Sequence, residues 1–170
     1  MQTINVQGVQ GGDLKPKSLS NALEVLAWKM ADKLNLTEDF DIDIIVMSKV
    51  KEGLLMDGDA AGYCSCIDDD EGSFNIEIEL ARDKDNLAIF RALAHEMIHA
   101  KQYIKGELSL GAFIEDNGLG FGGLWKGKIW KPAKKQDGYY DSPWEKEAYE
   151  KEYQLLESVL AVDSKRRNSI

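Results

Sequence analysis

Histidine and cysteine are scarce in this chain of 170 residues, with two of each. The cysteines form Cys64-Ser65-Cys66. A bridge between such close neighbours on a strand is strained, so reduced thiols are expected and a disulfide-stapled fold is excluded. No apolar run approaches membrane-spanning length, and no basic-then-apolar signal pattern opens the chain, so a cytoplasmic protein without a membrane partner is expected. Cations are outnumbered, 21 Lys and Arg against 30 Asp and Glu, for a net charge of −9. That balance argues against nucleic acid as a partner, which calls for a basic footprint. The short cluster Lys126, Lys128, Lys131, Lys134 and Lys135 is interleaved with Trp125 and Trp130, and reads as a solvated hairpin with packed tryptophans. The glycine-rich stretch 106–124 lacks the G-K-[ST] of a phosphate loop, and the acidic turn Asp68–Gly72 lacks the alternating ligands of a calcium loop.

Both histidines fall in one place, His95-Glu96-Met97-Ile98-His99. Around them Leu87, Phe90, Ala94, Met97 and Ile98 recur at three- and four-residue steps, which predicts a helix with a core-facing stripe. Asp83 or Asp85 can cap its start, and Gly106 suits its end. On a helix, residues four apart stand one above the other, about 5–6 Å apart at Cβ. Two imidazoles so placed can share one Zn²⁺, and the intervening Glu96 can reach a water beside the ion as general base.

A catalytic zinc takes three protein ligands. With no third histidine, the remaining one must be a carboxylate or one of Cys64 and Cys66. The best source is a second helix opening at Ser142-Pro143-Trp144-Glu145-Lys146-Glu147-Ala148-Tyr149-Glu150. Ser142 at the N-cap, Pro143 at the first turn and Glu145 at the third position form a capping box, which accounts for Glu145 structurally. Glu147 has no such account, and Ala148 beside it lets another helix approach. Glu147 is therefore the favoured third ligand, ahead of Glu145, then Glu150 or a cysteine.

An H-E-x-x-H helix followed tens of residues later by a glutamate-bearing helix resembles a minimal gluzincin. More narrowly, LAHEMIHAKQY and YYDSPWEKEAY resemble small metallopeptidases of phages and bacteria, SprT-like in layout. The resemblance spans about residues 60–160. The chain departs from SprT and Spartan proteases in having neither a third histidine nor a four-cysteine ribbon, so their DNA-linked role is not carried over.

The rest of the chain reads as one α+β, zincin-like domain over 1–170, built on a small, mostly antiparallel sheet. Residues 1–16 form an N-terminal arm with a short strand at Thr3–Val6. A scaffold helix follows over 18–35, capped by Ser18 or Ser20, with strands over 41–47, 61–67 and 74–80. The strand over 74–80 is expected to edge a substrate cleft, where Glu77 and Glu79 would favour basic peptides. The stretch 106–124 reads as a mobile loop beside that cleft, and 125–131 as a hairpin around Lys126-Gly127. The second helix runs from Ser142 to about Val162, with Ala148, Leu155, Leu156, Val159 and Leu160 inward, ahead of a polar tail over 163–170. Tyr139, Tyr140 and Tyr149 are candidates to stabilise an oxyanion. The expected function is a zinc-dependent peptidase acting on a peptide or protein, with His95, His99 and Glu147 on Zn²⁺ and Glu96 as base. Two alternatives are an inactive, zinc-stabilised regulatory protein of a phage or mobile element, and a metal-dependent hydrolase of small amides or esters.

Overall fold

The structure, a computed structural model, describes residues 1–8, 16–47, 60–68, 73–82, 85–115, 118–131 and 141–167. Strand β1 (Gln2–Gly8), helix α1 (Pro16–Lys33) and strand β2 (Asp39–Met47) form a βαβ unit whose two strands are parallel. Strands β3 (Gly62–Asp68) and β4 (Ser73–Ala81) pair antiparallel, and β4 lies parallel to β2, giving the order β1-β2-β4-β3. The main sheet thus has three parallel strands and one antiparallel edge, not the mostly antiparallel pairing expected. Alternating apolar residues mark strands but carry no direction; the crossover through α1 sets it here.

The alternation itself is realised. Phe40, Ile42, Ile44 and Val46 on β2 are buried, as are Ile76, Ile78 and Leu80 on β4. Against this face lie α1, over β1, and α2 (Asn86–Ile104), over β3 and β4. Helix α3 (Pro143–Arg167) packs on both helices. Burying each large apolar side chain stabilises such a core by about 1.5–3 kcal/mol. The expected arm is an ordered edge strand over Gln2–Gly8, and α1 starts at Pro16, which places Ser18 and Ser20 inside the helix instead of at its cap. No helix among the described residues is long and apolar enough to cross a membrane.

Helix α2 begins where Asp85 accepts a hydrogen bond from the Ala88 amide at 2.8 Å, and ends before Gly106, whose φ of 63° suits a residue without Cβ. The glycine-rich stretch is not a loop. It forms β5 (Leu108–Glu115) and β6 (Gly118–Trp125), continued by β7 (Lys128–Trp130) in an antiparallel meander. The β6–β7 turn has positive φ at both Lys126 (48°) and Gly127 (77°), the two-residue geometry that matches strand twist. As expected of packed tryptophans, the rings of Trp125 and Trp130 lie 6.4 and 4.6 Å from that of the fully buried Trp144. Helix α3 continues past Val162 through Arg167, and Leu160, expected inward, is exposed.

Candidate metal centre

The middle of α2 faces the first turns of α3. Ala148, fully buried, permits the approach. His95 and His99 stack on one face of α2, with ring centroids 4.9 Å apart. Between them and α3 sits Glu145. Its Oε2 is 3.2 Å from His95 Nε2 and its Oε1 3.1 Å from His99 Nε2, and the two Nε2 atoms are 3.2 Å apart. Among the described residues this is the group of donors converging closely enough for one cation.

Glu147, the expected third ligand, is not part of it. Two residues along a helix turn the side chain by about 200°, so α3 cannot aim Glu145 and Glu147 at the same point. Glu147 instead accepts from Lys151 Nζ at 2.7 Å and Gln102 Nε2 at 3.0 Å. Burial would raise its pKa, but these partners and Lys101 pull it down to about 2. The capping box is not formed either: Ser142 Oγ is buried without a hydrogen-bond partner among the described residues, and the Glu145 carboxylate is committed to the imidazoles. Glu150 is exposed. Cys64 is buried, its thiol pushed up by burial and by the nearby Glu96 carboxylate, and it is not among the converging donors.

Each imidazole is fixed by its outer nitrogen. His95 Nδ1 donates to Glu152 Oε2 at 2.8 Å, and Glu152 is held by Arg91 Nε at 2.6 Å. His99 Nδ1 donates to Gln102 Oε1 at 2.8 Å. The amide orientation of Gln102 is dictated by its Nε2, which donates to Trp144 O at 3.1 Å as well as to Glu147. Both rings therefore carry the proton on Nδ1 and turn Nε2 toward Glu145, the arrangement that metal-binding histidines require.

The electrostatics favour positive charge at this point. Burial works against charging His95, yet Glu145, Glu96 and Glu152 around it raise its pKa to about 9. His99 is shifted the same way, against burial, by Glu145 and Glu96. Burial would raise Glu145, but the two imidazoles bring it down to about 2. Two imidazole nitrogens and a carboxylate, converging within 4.8 Å of one another, could hold a metal ion; such a mixed nitrogen and oxygen set suits borderline metals, zinc among them. The donors' 3.1–3.2 Å spacings are close to the edge of a tetrahedron with bonds of about 2.0–2.1 Å, roughly 3.3–3.4 Å.

Glu96 lies on the neighbouring side of α2, buried, with its pKa raised by burial and by Glu145 and Glu152 against the opposing pull of His99 and His95. Its carboxylate rests against Gly62 of β3, where a Cβ would stand 2.7 Å from Oε1. A cleft of about 780 Å³ opens here, lined by Ala60 to Cys64, by the site residues, and by outer residues of α2 and α3. The strand beside it is thus β3, the sheet edge, and not the 74–80 strand: β4 is paired on both sides, and Glu79 is buried opposite Tyr63. The expected bias from Glu77 and Glu79 lapses with it. Of the tyrosine candidates, Tyr149 is beside the site, its ring 4.6 Å from that of His95; Tyr139 and Tyr140 lie outside the described residues.

Glu152, Gln102, Arg91 and Gly62 have no role in the sequence reading. Glu152 has one visible signal: with Glu145, Ala148, Leu155, Leu156 and Val159 it forms a stripe at helical spacing, so both carboxylates had to face whatever α3 packs on. In comparison with known proteins, the chain matches no family model, no curated protein and no solved structure.

Proposed function

We propose that this protein is a zinc-dependent peptidase in which His95, His99 and Glu145 hold the metal and Glu96 is the general base. The observation that carries the reading is the convergence of two imidazole Nε2 atoms and one carboxylate in a buried cluster, with a second, unligated carboxylate beside them in an open cleft. A metal held there would supply Lewis-acid polarisation of a carbonyl and acidify a water.

The chain's own residues do the rest. Glu96, its pKa raised by burial, takes a proton from the attacking water and returns it to the leaving amine. Gly62 leaves the room that this carboxylate occupies. Glu152 and Gln102 hold the imidazoles in one tautomer. Tyr149, whose ring lies 4.6 Å from that of His95, is the candidate on α3 to donate to an oxyanion on the carbonyl. The HExxH helix, the antiparallel edge strand beside it and the glutamate from a later helix support a zincin-like reading of the fold.

The test is Glu96→Gln. The variant should bind as much zinc as the wild type and lose hydrolysis of a casein or peptide-library substrate by roughly a hundredfold or more. Hydrolysis unchanged in the variant contradicts the assignment.

A further inference from the structure

The cleft is larger than the metal centre needs, and its outer part has a distinct character. Along α3, Tyr149, Tyr153, Leu156 and Leu160 follow at steps of four, three and four residues, and all four line the cleft. Such a stripe normally packs into a core. Here Leu156 is buried, but Tyr149 is 47%, Tyr153 54% and Leu160 43% exposed, and Leu87 across the cleft is 63% exposed. Large apolar side chains scattered over a surface need no explanation; a run of them along one groove marks a binding surface.

The groove begins at the reaction site. The Tyr149 ring touches that of His95, and one turn outward the Arg91 guanidinium stacks 4.3 Å over the Tyr153 ring. Leu87 is one turn further back on α2. From Tyr149 to Leu160 the helix rises about 16 Å, the length of four to five residues of extended chain at about 3.3 Å each. A small amide or ester would occupy only the Tyr149 end.

Charge narrows the ligand further. The Arg91 cation is neutralised by Glu152, which also accepts a hydrogen bond from His95 Nδ1. Asp85 and Glu157 line the groove and have no ion-pair partner among the described residues. The groove is thus apolar along its floor and flanked by two acids, of which Asp85 also caps α2 through the Ala88 amide.

We propose that this groove seats an extended polypeptide segment bearing two or more bulky apolar side chains, flanked by Lys or Arg that meet Glu157 and Asp85. The proposal names the substrate class of the peptidase reading and rests on it, but its test reads binding. Zinc-loaded Glu96→Gln protein is titrated into three fluorescein-labelled dodecapeptides of equal length, followed by anisotropy. One combines Leu and Phe with Lys, one combines Leu and Phe with Glu, and one combines Ser and Gln with Lys. The first should bind roughly tenfold or more tighter than either other. Leu160→Ser and Leu87→Ser, made in the same protein, should each weaken it by about fivefold or more while zinc content and melting temperature stay unchanged.

Equal binding of the Ser/Gln peptide, or apolar binding that both substitutions leave unmoved, overturns the proposal. So does a dimer in sedimentation equilibrium that Leu160→Ser dissociates, which would assign the groove to a second copy of the chain. The predicted binding pattern without cleavage by the zinc-loaded wild type would uphold the groove's ligand class and overturn the peptidase reading instead.

Discussion

The carboxylate of Glu152 accepts a hydrogen bond from Nδ1 of His95 at 2.8 Å. This contact sets the imidazole tautomer and makes Nε2 a better donor to a cation. Glu152→Ala is expected to weaken zinc binding by about 10–100-fold, measured by competition with a chromophoric chelator. Arg91 is partly exposed, so losing its partner leaves that cation in water and the fold intact. Glu152→Gln, which keeps an acceptor at the same reach, should fall between the alanine variant and the wild type. Equal zinc affinity in all three proteins would mean that the contact has no part in metal binding.

The metal-free site makes stability depend on pH. The pKa of His95 is raised from 6.5 to about 9, so its contribution is complete below about pH 6.5 and is lost as pH rises through about 9. The pKa of Glu145 is lowered from 4.5 to about 2, so its contribution is present above about pH 4.5 and is lost as pH falls through about 2. The two shifts share the His95–Glu145 contact, with Glu96 and Glu152 adding to the first and His99 to the second, so the cluster contributes most between about pH 4.5 and 6.5. Zinc needs His95 neutral and reverses the upper limb: the gain in melting temperature on adding zinc should grow from pH 6 to 9. At pH 7, calorimetric titrations in buffers of different ionisation enthalpy should show proton release. A zinc effect independent of pH would contradict the assignment of His95 as ligand.

Gly62 is required by close packing, not by backbone conformation. A Cβ there would lie 2.7 Å from Oε1 and 2.8 Å from Cγ of Glu96. Gly62→Ala should displace the carboxylate, lower stability by about 1–3 kcal/mol and reduce hydrolysis, while zinc content stays at the wild-type level. Thermal melting beside elemental analysis separates these effects. An alanine variant as stable and as active as the wild type would show that Glu96 does not depend on this contact.

How legible these features were depended on what each pattern encodes. The α2 helix, a cap at Asp83 or Asp85 and its Gly106 stop could be read directly, because apolar spacing and caps are local; the structure selects Asp85. So could the alternation on β2 and β4 and the turn at Lys126-Gly127. Strand direction was not legible, since Ile42, Ile44 and Val46 alternate identically in parallel and antiparallel pairs. The β5–β6 pair was hidden by its glycines: Gly111 lies opposite Gly122, and Phe113 opposite Gly120, where strand propensity is low but pairing still forms. The third donor was missed for a different reason. Glu145 had a sufficient local explanation as a capping residue and Glu147 had none, so elimination favoured Glu147. The decisive fact was tertiary: α3 turns the face of Glu145, Ala148 and Glu152 toward α2, which a stripe of carboxylates among buried residues could have indicated.

The most direct test of the account is zinc content of the purified protein by elemental analysis, with wild type beside Glu145→Ala and Glu147→Ala. One zinc per chain is expected in the wild type, with loss in Glu145→Ala and retention in Glu147→Ala, since the Glu147 carboxylate is linked to His99 through Gln102 and is not one of the converging donors. Zinc kept in Glu145→Ala and lost in Glu147→Ala, or no zinc in the wild type after zinc is supplied, would contradict it.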